Sequence, residues 1–121
     1  MRSPLIIGIV DDDPDVRRSL DSLMRSAGLI PRCFAGAAEL LSAGAQDDLA
    51  CILTDLHMPG ISGIELQAEM TRRGWRQPVI VMTAFPTEAA RNQAMSAGAL
   101  AFLVKPVDPD RLLDAVNRAT G

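Results

Sequence analysis

Five short apolar segments alternate along this chain with five segments that carry a helical pattern, and this alternation restricts the possible folds more than any other feature. In the helical segments, apolar residues recur at every third or fourth position, as on one face of a helix. The apolar segments are Leu5–Val10, Ile30–Phe34, Ala50–Thr54, Val79–Met82 and Leu100–Val104. The helical segments are Asp13–Ala27, Ala37–Ala43, Ser62–Arg73, Thr87–Ala97 and Asp108–Ala119.

Local signals mark where these helices begin and end. An aspartate followed directly by a proline is typical of a helix start, and the pair occurs twice, at Asp13 and Asp108. Ser62 with Glu65 three residues later is a capping-box signature. Gly28 follows the first helical pattern and is expected to end it.

The alternation predicts an α/β fold. Strands that are apolar throughout and are separated by helices indicate a parallel sheet covered on both faces. Five such units make a doubly wound (βα)5 sandwich. The expected strand order is 2-1-3-4-5, which is the order known for flavodoxin-like folds. Pro31 lies inside the second apolar run, which favours a sheet edge for that strand and agrees with this order.

The length and charge of the chain indicate a single domain and argue against binding of DNA or of a membrane. A chain of 121 residues is expected to form one domain over 1–121. The net charge of −3 and the scattered basic residues give no support to direct binding of DNA or of an anionic membrane. No segment reaches the length of a membrane span.

The two cysteines and the N-terminus predict a cytoplasmic protein. Cys33 and Cys51 lie in apolar runs, which favours two buried, reduced thiols. The apolar run after the first residues is too short for a signal peptide.

Polar residues collect where the predicted strands end. Asp11 and Asp12 follow the first strand, Asp55 ends the third, Thr83 ends the fourth and Lys105 ends the fifth. In open α/β sheets, sites form beyond the carboxyl ends of the strands, where the strand order reverses. We therefore expect these side chains to share one edge of the sheet.

The acids of this group predict a metal site. Packing Asp11, Asp12 and Asp55 together is unfavourable through like-charge repulsion. A hard divalent cation with oxygen ligands offsets that repulsion, and Mg²⁺ or Mn²⁺ is the expected ion. Asp13 is excluded from the set because it precedes Pro14 at a helix start and reads as a cap.

The remaining residues fit phosphoryl chemistry. A carboxylate such as that of Asp55 can attack a phosphoryl centre and form an aspartyl phosphate. Such transfer depends mainly on positioning and charge neutralisation. Lys105 supplies a compact positive charge, and the Thr83 hydroxyl supplies a donor to a phosphoryl oxygen.

Four motifs in the same order resemble those of receiver domains of bacterial two-component response regulators, and the resemblance covers the whole chain. The likeness is greatest to receivers of the nitrogen-fixation type, which are usually joined to a helix-turn-helix output domain. The motifs are Ile9-Val10-Asp11-Asp12-Asp13, the run from Thr54 to Gly63, Val81-Met82-Thr83-Ala84 and Phe102-Leu103-Val104-Lys105-Pro106.

The resemblance implies a role for each site residue. Asp55 would be the phosphoacceptor, and Thr83 and Lys105 would hold the phosphoryl group. Asp12 and Asp55 would be direct metal ligands together with the backbone carbonyl of His57, with Asp11 in the same acidic pocket. The bond before Pro106 would be cis.

The resemblance also implies how a signal leaves the site. Thr83 would move toward the phosphoryl group, and Phe102 would swing inward to fill the vacated space. The fourth helix, fifth strand and fifth helix would form the output face and a possible homodimer interface. Candidates for charge pairs across such a dimer are Glu88, Arg91, Asp110 and Arg111.

The implied function is a phosphorylation-dependent switch rather than an enzyme that turns over a substrate. The phosphoryl donor would be a sensor histidine kinase, and the output would be control of transcription through a domain beyond these residues. A stand-alone receiver that acts in a phosphorelay or by protein contacts is the alternative.

Three other functions are less well supported. A haloacid-dehalogenase-type phosphohydrolase requires a second aspartate two residues after its nucleophile, where this chain has His57. A flavin or nucleotide binder requires a phosphate cradle after the first strand, where the acids would repel a phosphate. A degenerate receiver usually lacks one of the site residues, and none is missing here.

Overall fold

The computed structural model describes residues 4–43 and 48–121. The strands are β1 (Ile6–Val10), β2 (Ile30–Phe34), β3 (Leu49–Asp55), β4 (Val79–Thr83) and β5 (Ala101–Val104). The helices are α1 (Pro14–Ser26), α2 (Ala37–Ala43), α3 (Gly63–Arg72), α4 (Glu88–Ser96) and α5 (Pro109–Thr120). Residues 1–3, which begin the N-terminal segment that is expected to be too short for a signal peptide, lie outside the described residues.

All described strand pairs are parallel, and the sheet has the order β2-β1-β3-β4-β5. This confirms the expected fold class. It also confirms the edge position predicted from Pro31, since β2 pairs within the described sheet only with β1. A proline at an edge costs little because its missing N–H would face outward.

The helices cover both faces of the sheet and bury two apolar clusters. One cluster lies under α2, α3 and α4 and includes Leu40, Leu66 and Phe102. The other lies under α1 and α5 and includes Met24 and Leu112. Because strand side chains alternate between the two faces, each buried strand contributes to both clusters and holds its polar end residue in a fixed position.

The helix starts follow the local signals. The Asp13 side chain accepts a hydrogen bond from the Asp15 N–H at the start of α1, and Asp108 accepts one from the Asp110 N–H at the start of α5. At α3, Ser62 and the side chain of Glu65 form both halves of the capping box. These caps satisfy backbone donors that have no partner inside the helix.

The prediction of two buried thiols is correct for Cys51 and wrong in part for Cys33. Both cysteines are free thiols. Cys51 is fully buried, and burial raises the pKa of its thiol to about 12. Cys33 is only half-buried, because it lies on the edge strand β2, and its thiol donates to Asp21 at 3.7 Å.

Across residues 4–43 and 48–121, no helix has the length and apolar character that crossing a bilayer requires.

Candidate functional site

The polar residues predicted from the strand ends lie together at the carboxyl edge of the sheet. Asp55 is the last residue of β3, and Thr83 is the last residue of β4. Asp11 follows β1 directly, and Lys105 follows β5 directly. Parallel strands that start at the same edge bring these residues together although they are far apart in sequence.

The three acids form one cluster. One carboxylate oxygen each from Asp11, Asp12 and Asp55 lie within 4.8 Å of one another. Asp11 is fully buried and Asp55 is 7% exposed, whereas Asp12 is exposed. The cluster therefore has two carboxylates that are fixed by packing and one that is open to solvent.

Lys105 neutralises part of this negative charge. Its Nζ lies 2.6 Å from Asp11 Oδ2 and 3.1 Å from Asp55 Oδ1. Burial acts to lower the pKa of Lys105, but the hydrogen bonds and the negative charges of Asp11 and Asp55 together outweigh burial, so the pKa is raised. The lysine is a fixed cation within contact distance of both buried carboxylates.

Burial dominates at Asp55. It raises the pKa of this carboxyl above the ordinary range, and the hydrogen bond from Lys105 only partly opposes that effect. The charge of Asp11 raises the pKa further. The carboxylate of Asp55 is thus poorly solvated and depends on nearby positive charge for its ionised form.

Thr83 is fully buried, and its hydroxyl oxygen accepts a hydrogen bond from the Phe85 N–H at 3.0 Å. An oxygen that accepts in this way still has its own proton to donate. Phe102 is 8% exposed, so its side chain already lies inside. The expected inward swing of Phe102 would therefore be a rearrangement within the core.

His57 lies in the loop after β3 and is exposed. Its ring lies edge-on to the ring of Phe85, with the centroids 6.1 Å apart. Within the described part of the chain, no hydrogen-bond donor occupies the His57 backbone carbonyl oxygen. The bond between Lys105 and Pro106 is cis.

The donor set fits a hard divalent cation. Carboxylate oxygens and a backbone carbonyl are the ligands that Mg²⁺ and Mn²⁺ take in proteins. The buried charge of Asp11 and Asp55 exceeds what Lys105 alone balances, so a cation beside Asp12 would lower the electrostatic energy of the cluster.

One contact in the site was not predicted. The guanidinium of Arg17, in α1, donates to the backbone carbonyl of Asp11 at 2.7 Å. The Asp13 N–H also donates to Asp11 Oδ1 at 2.9 Å. Nothing in the residue pattern distinguishes Arg17 from the other surface arginines, because this contact depends on how α1 packs against β1.

The comparisons with known proteins agree with this geometry. Residues 7–117 match the response regulator receiver domain. The chain belongs to this family. Receivers of this kind are the phosphoryl-accepting signalling domains of two-component systems, so the expected family and general function are confirmed.

Two curated relatives match nearly the whole of this chain. The transcriptional regulatory protein FixJ of Azorhizobium caulinodans is 42% identical over 121 residues, which cover 100% of this chain and 57% of that protein. Nodulation protein W of Bradyrhizobium diazoefficiens is 39% identical over 115 residues, which cover 95% of this chain and 51% of that protein. The chain thus spans about half the length of these relatives.

A solved structure shares the fold. The crystal structure of FixJ-N superposes with a TM-score of 0.87 at 30% sequence identity, and the match covers 98% of this chain and 95% of that chain. This likeness and the strand order together establish the doubly wound receiver fold.

Proposed function

We propose that Asp55 accepts a phosphoryl group from the phosphohistidine of a sensor histidine kinase. A carboxylate oxygen of Asp55 would form a bond to phosphorus while the bond from phosphorus to the imidazole nitrogen breaks. The products are an aspartyl phosphate and a neutral kinase histidine. The observation that carries this proposal is the convergence of Asp11, Asp12, Asp55 and Lys105 at one sheet edge of a receiver domain.

Mg²⁺ or Mn²⁺ would be held by Asp12, Asp55 and the His57 carbonyl, with Asp11 in the same acidic pocket. The ion would supply the positive charge that lets an anionic phosphoryl group approach three carboxylates. The cluster within 4.8 Å and the free carbonyl oxygen support this ligand set.

Lys105 and Thr83 would stabilise the phosphoryl group. Lys105 Nζ already lies 3.1 Å from Asp55 Oδ1, so a small movement would carry its ammonium to an added phosphoryl oxygen. Thr83 would donate its hydroxyl proton to another phosphoryl oxygen while its own oxygen keeps the Phe85 N–H. These residues position charge and donors where negative charge accumulates during transfer.

The signal would leave through α4, β5 and α5. Movement of Thr83 toward the phosphoryl group would change the packing around Phe102, which belongs to the cluster under α4. The surface formed by these elements would then contact a partner or a second copy of the chain. We propose that the output is control of transcription, as the names of the relatives suggest for those proteins, with a stand-alone receiver as the alternative.

Two further expectations belong to this proposal. Residues 1–121 would act as one receiver domain in the cytoplasm, where sensor kinases present their phosphohistidine. The domain would catalyse only its own phosphorylation and dephosphorylation, and would therefore take up one phosphoryl group without turning over a donor rapidly.

The test is intact-protein mass spectrometry after incubation with acetyl phosphate and Mg²⁺. Wild type is expected to gain the mass of one phosphoryl group, and Asp55→Asn is expected to gain none. Rapid, sustained release of inorganic phosphate by wild type would instead support a phosphohydrolase. No adduct under conditions where Mg²⁺ binds would point to an interaction module that has lost phosphoryl chemistry.

A further inference from the structure

Gly63 is the first residue of α3, and its backbone conformation does not require a glycine. The glycines with positive φ are Gly28, Gly60, Gly74 and Gly98, and Gly63 is not among them. Gly60, in the same loop, has a φ of 81° and serves turn geometry. A different reason must therefore account for a glycine at position 63.

That reason is space next to Asp55. An ideal Cβ placed on Gly63 would lie 2.7 Å from the Asp55 carbonyl oxygen and 3.1 Å from the Leu56 Cα. Both of these neighbours are backbone atoms, so no side-chain rotation can relieve the contact. Any side chain at position 63 must push the start of α3 and the end of β3 apart.

The Asp55–Leu56 backbone has little room to move. The Thr54 hydroxyl donates to the Asp55 carbonyl oxygen at 2.9 Å, and the Leu56 N–H donates to the Met82 carbonyl at 2.8 Å. The Gly63 N–H donates to the Leu56 carbonyl at 2.8 Å. The first two bonds anchor the end of β3, and the third closes the loop from 56 to 62 and holds its two ends against each other.

We propose that Gly63 is a positioning residue of the phosphoryl site. Its lack of a side chain lets α3 begin directly against the Asp55–Leu56 backbone, and this close approach fixes the Asp55 carboxylate and the loop that carries His57. The inference rests on the proposed function, because Asp55 and the His57 carbonyl are the groups whose positions it sets. Geometric errors of about 1 Å at a reacting group cost on the order of 100-fold in rate.

The test compares Gly63→Ala with Gly36→Ala. Gly36 lies directly before α2, has no positive φ, and has nothing within 4 Å of an added Cβ. Both variants therefore add one methyl group at the start of a helix, but only one of them crowds the site. The measurements are urea unfolding, the Mg²⁺ dissociation constant, and the rate of phosphorylation by saturating acetyl phosphate per folded molecule.

We expect Gly63→Ala to weaken Mg²⁺ binding severalfold and to slow phosphorylation per folded molecule by at least about tenfold. Gly36→Ala should match wild type in both. If Gly63 had a purely structural role, Gly63→Ala would lower only the folded fraction. A wild-type phosphorylation rate and a wild-type Mg²⁺ affinity in folded Gly63→Ala would overturn the proposal.

The role of Gly63 can still be tested if wild type takes up no phosphoryl group or if Gly63→Ala does not fold. If wild type itself takes up no phosphoryl group, the proposed function fails, and the comparison of Mg²⁺ affinities still decides the role of Gly63. If Gly63→Ala does not fold, amide NMR on wild type decides it. Saturating Mg²⁺ must then shift the Gly63 resonance clearly more than that of Gly36, and equal shifts would reject the positioning role.

Discussion

The three consecutive aspartates after β1 have three different environments. Asp11 is fully buried and is bound by Lys105 and by the Asp13 N–H. Asp12 is exposed but has an oxygen in the acidic cluster. Asp13 is exposed and caps α1 by accepting from the Asp15 N–H. Residues of one type in one short segment therefore differ in what their removal should do.

Asp12→Ala is expected to lower Mg²⁺ affinity, and Asp13→Ala is expected to lower the free energy of unfolding. Removing Asp12 takes away a proposed metal ligand and relieves repulsion. Mg²⁺ affinity should therefore fall by more than about tenfold, since even loss of a residue that only orients a ligand costs about 10–100-fold. Its stability should stay within about 0.5 kcal/mol of wild type. Asp13→Ala should lose about 1 kcal/mol through the missing cap and keep Mg²⁺ affinity. Calorimetric titration and urea unfolding of both variants measure these effects, and loss of Mg²⁺ binding in Asp13→Ala would contradict the assignment.

Lys105→Met is expected to make stability depend more strongly on Mg²⁺. The substitution leaves the buried carboxylate of Asp11 without its ammonium partner, which should cost about 1–3 kcal/mol without metal. Bound Mg²⁺ would replace part of that charge. Thermal unfolding with and without Mg²⁺ should therefore show a larger stabilisation in the variant than in wild type. Equal stabilisation of both proteins would indicate that Lys105 and the metal do not share the cluster.

At the residue scale, the sequence identifies the site but not its contacts. The acids, Thr83 and Lys105 were predictable because each one follows or ends an apolar strand run. The pairing of Lys105 with Asp11 and the Arg17 contact were not predictable, because they depend on side-chain geometry between distant segments. The space requirement at Gly63 is likewise visible only when α3 is placed against β3.

At the scale of elements, local signals determined most helix and strand bounds. The predicted ranges of β2 and α2 match the structure; Gly28 ends the helical pattern before β2, and Gly36 lies between β2 and α2. β3 runs from Leu49 to Asp55, one residue beyond the predicted apolar run at each end. A strand continues for as long as its backbone finds ladder partners, and hydropathy does not report those partners.

The coupling of β4 to β5 predicts a response of Phe102 to phosphorylation. Val81 pairs with Phe102 in the sheet, and Thr83 pairs with Val104. Movement of Thr83 toward a phosphoryl group should change the packing of Phe102 within the cluster under α4. The chain has three phenylalanines, so protein labelled with fluorophenylalanine gives three fluorine NMR resonances. The Phe102 resonance should shift after phosphorylation.

Assignment of that resonance uses Phe102→Leu. Phe85 lies beside the site and should shift in any case. A Phe102 resonance that does not change between the two states would exclude it as a switch.

At the scale of the whole molecule, the parallel order of five strands determines where function can occur. The sheet places all its carboxyl ends at one edge, where the acid cluster and Lys105 lie, and the family match shows a receiver domain. Hydrophobic alternation and helix caps predicted the α/β class, because they agree along the whole chain, whereas the strand order came from known folds. These local patterns do not determine the oligomeric state, because the same exposed residues are compatible with a monomer and with several dimer interfaces.

A phosphorylated dimer through α4, β5 and α5 is the prediction at this scale. Val104 is 51% exposed on β5, beside Arg91 and Arg111, which line the same surface cavity. Sedimentation velocity should show a monomer that dimerises on phosphorylation. Val104→Glu should remain monomeric while taking up phosphoryl as wild type does. Wild type that is monomeric in both states would reject this interface.

The role of Asp55 as phosphoacceptor is tested most directly by locating the phosphoryl group on the chain. Protein phosphorylated with acetyl phosphate and Mg²⁺ is reduced with borohydride, which converts an aspartyl phosphate to homoserine, and is then mapped by peptide mass spectrometry. We expect homoserine at position 55 and unmodified aspartate at positions 11 and 12. Homoserine at Asp11 or Asp12, with position 55 unmodified, would contradict it.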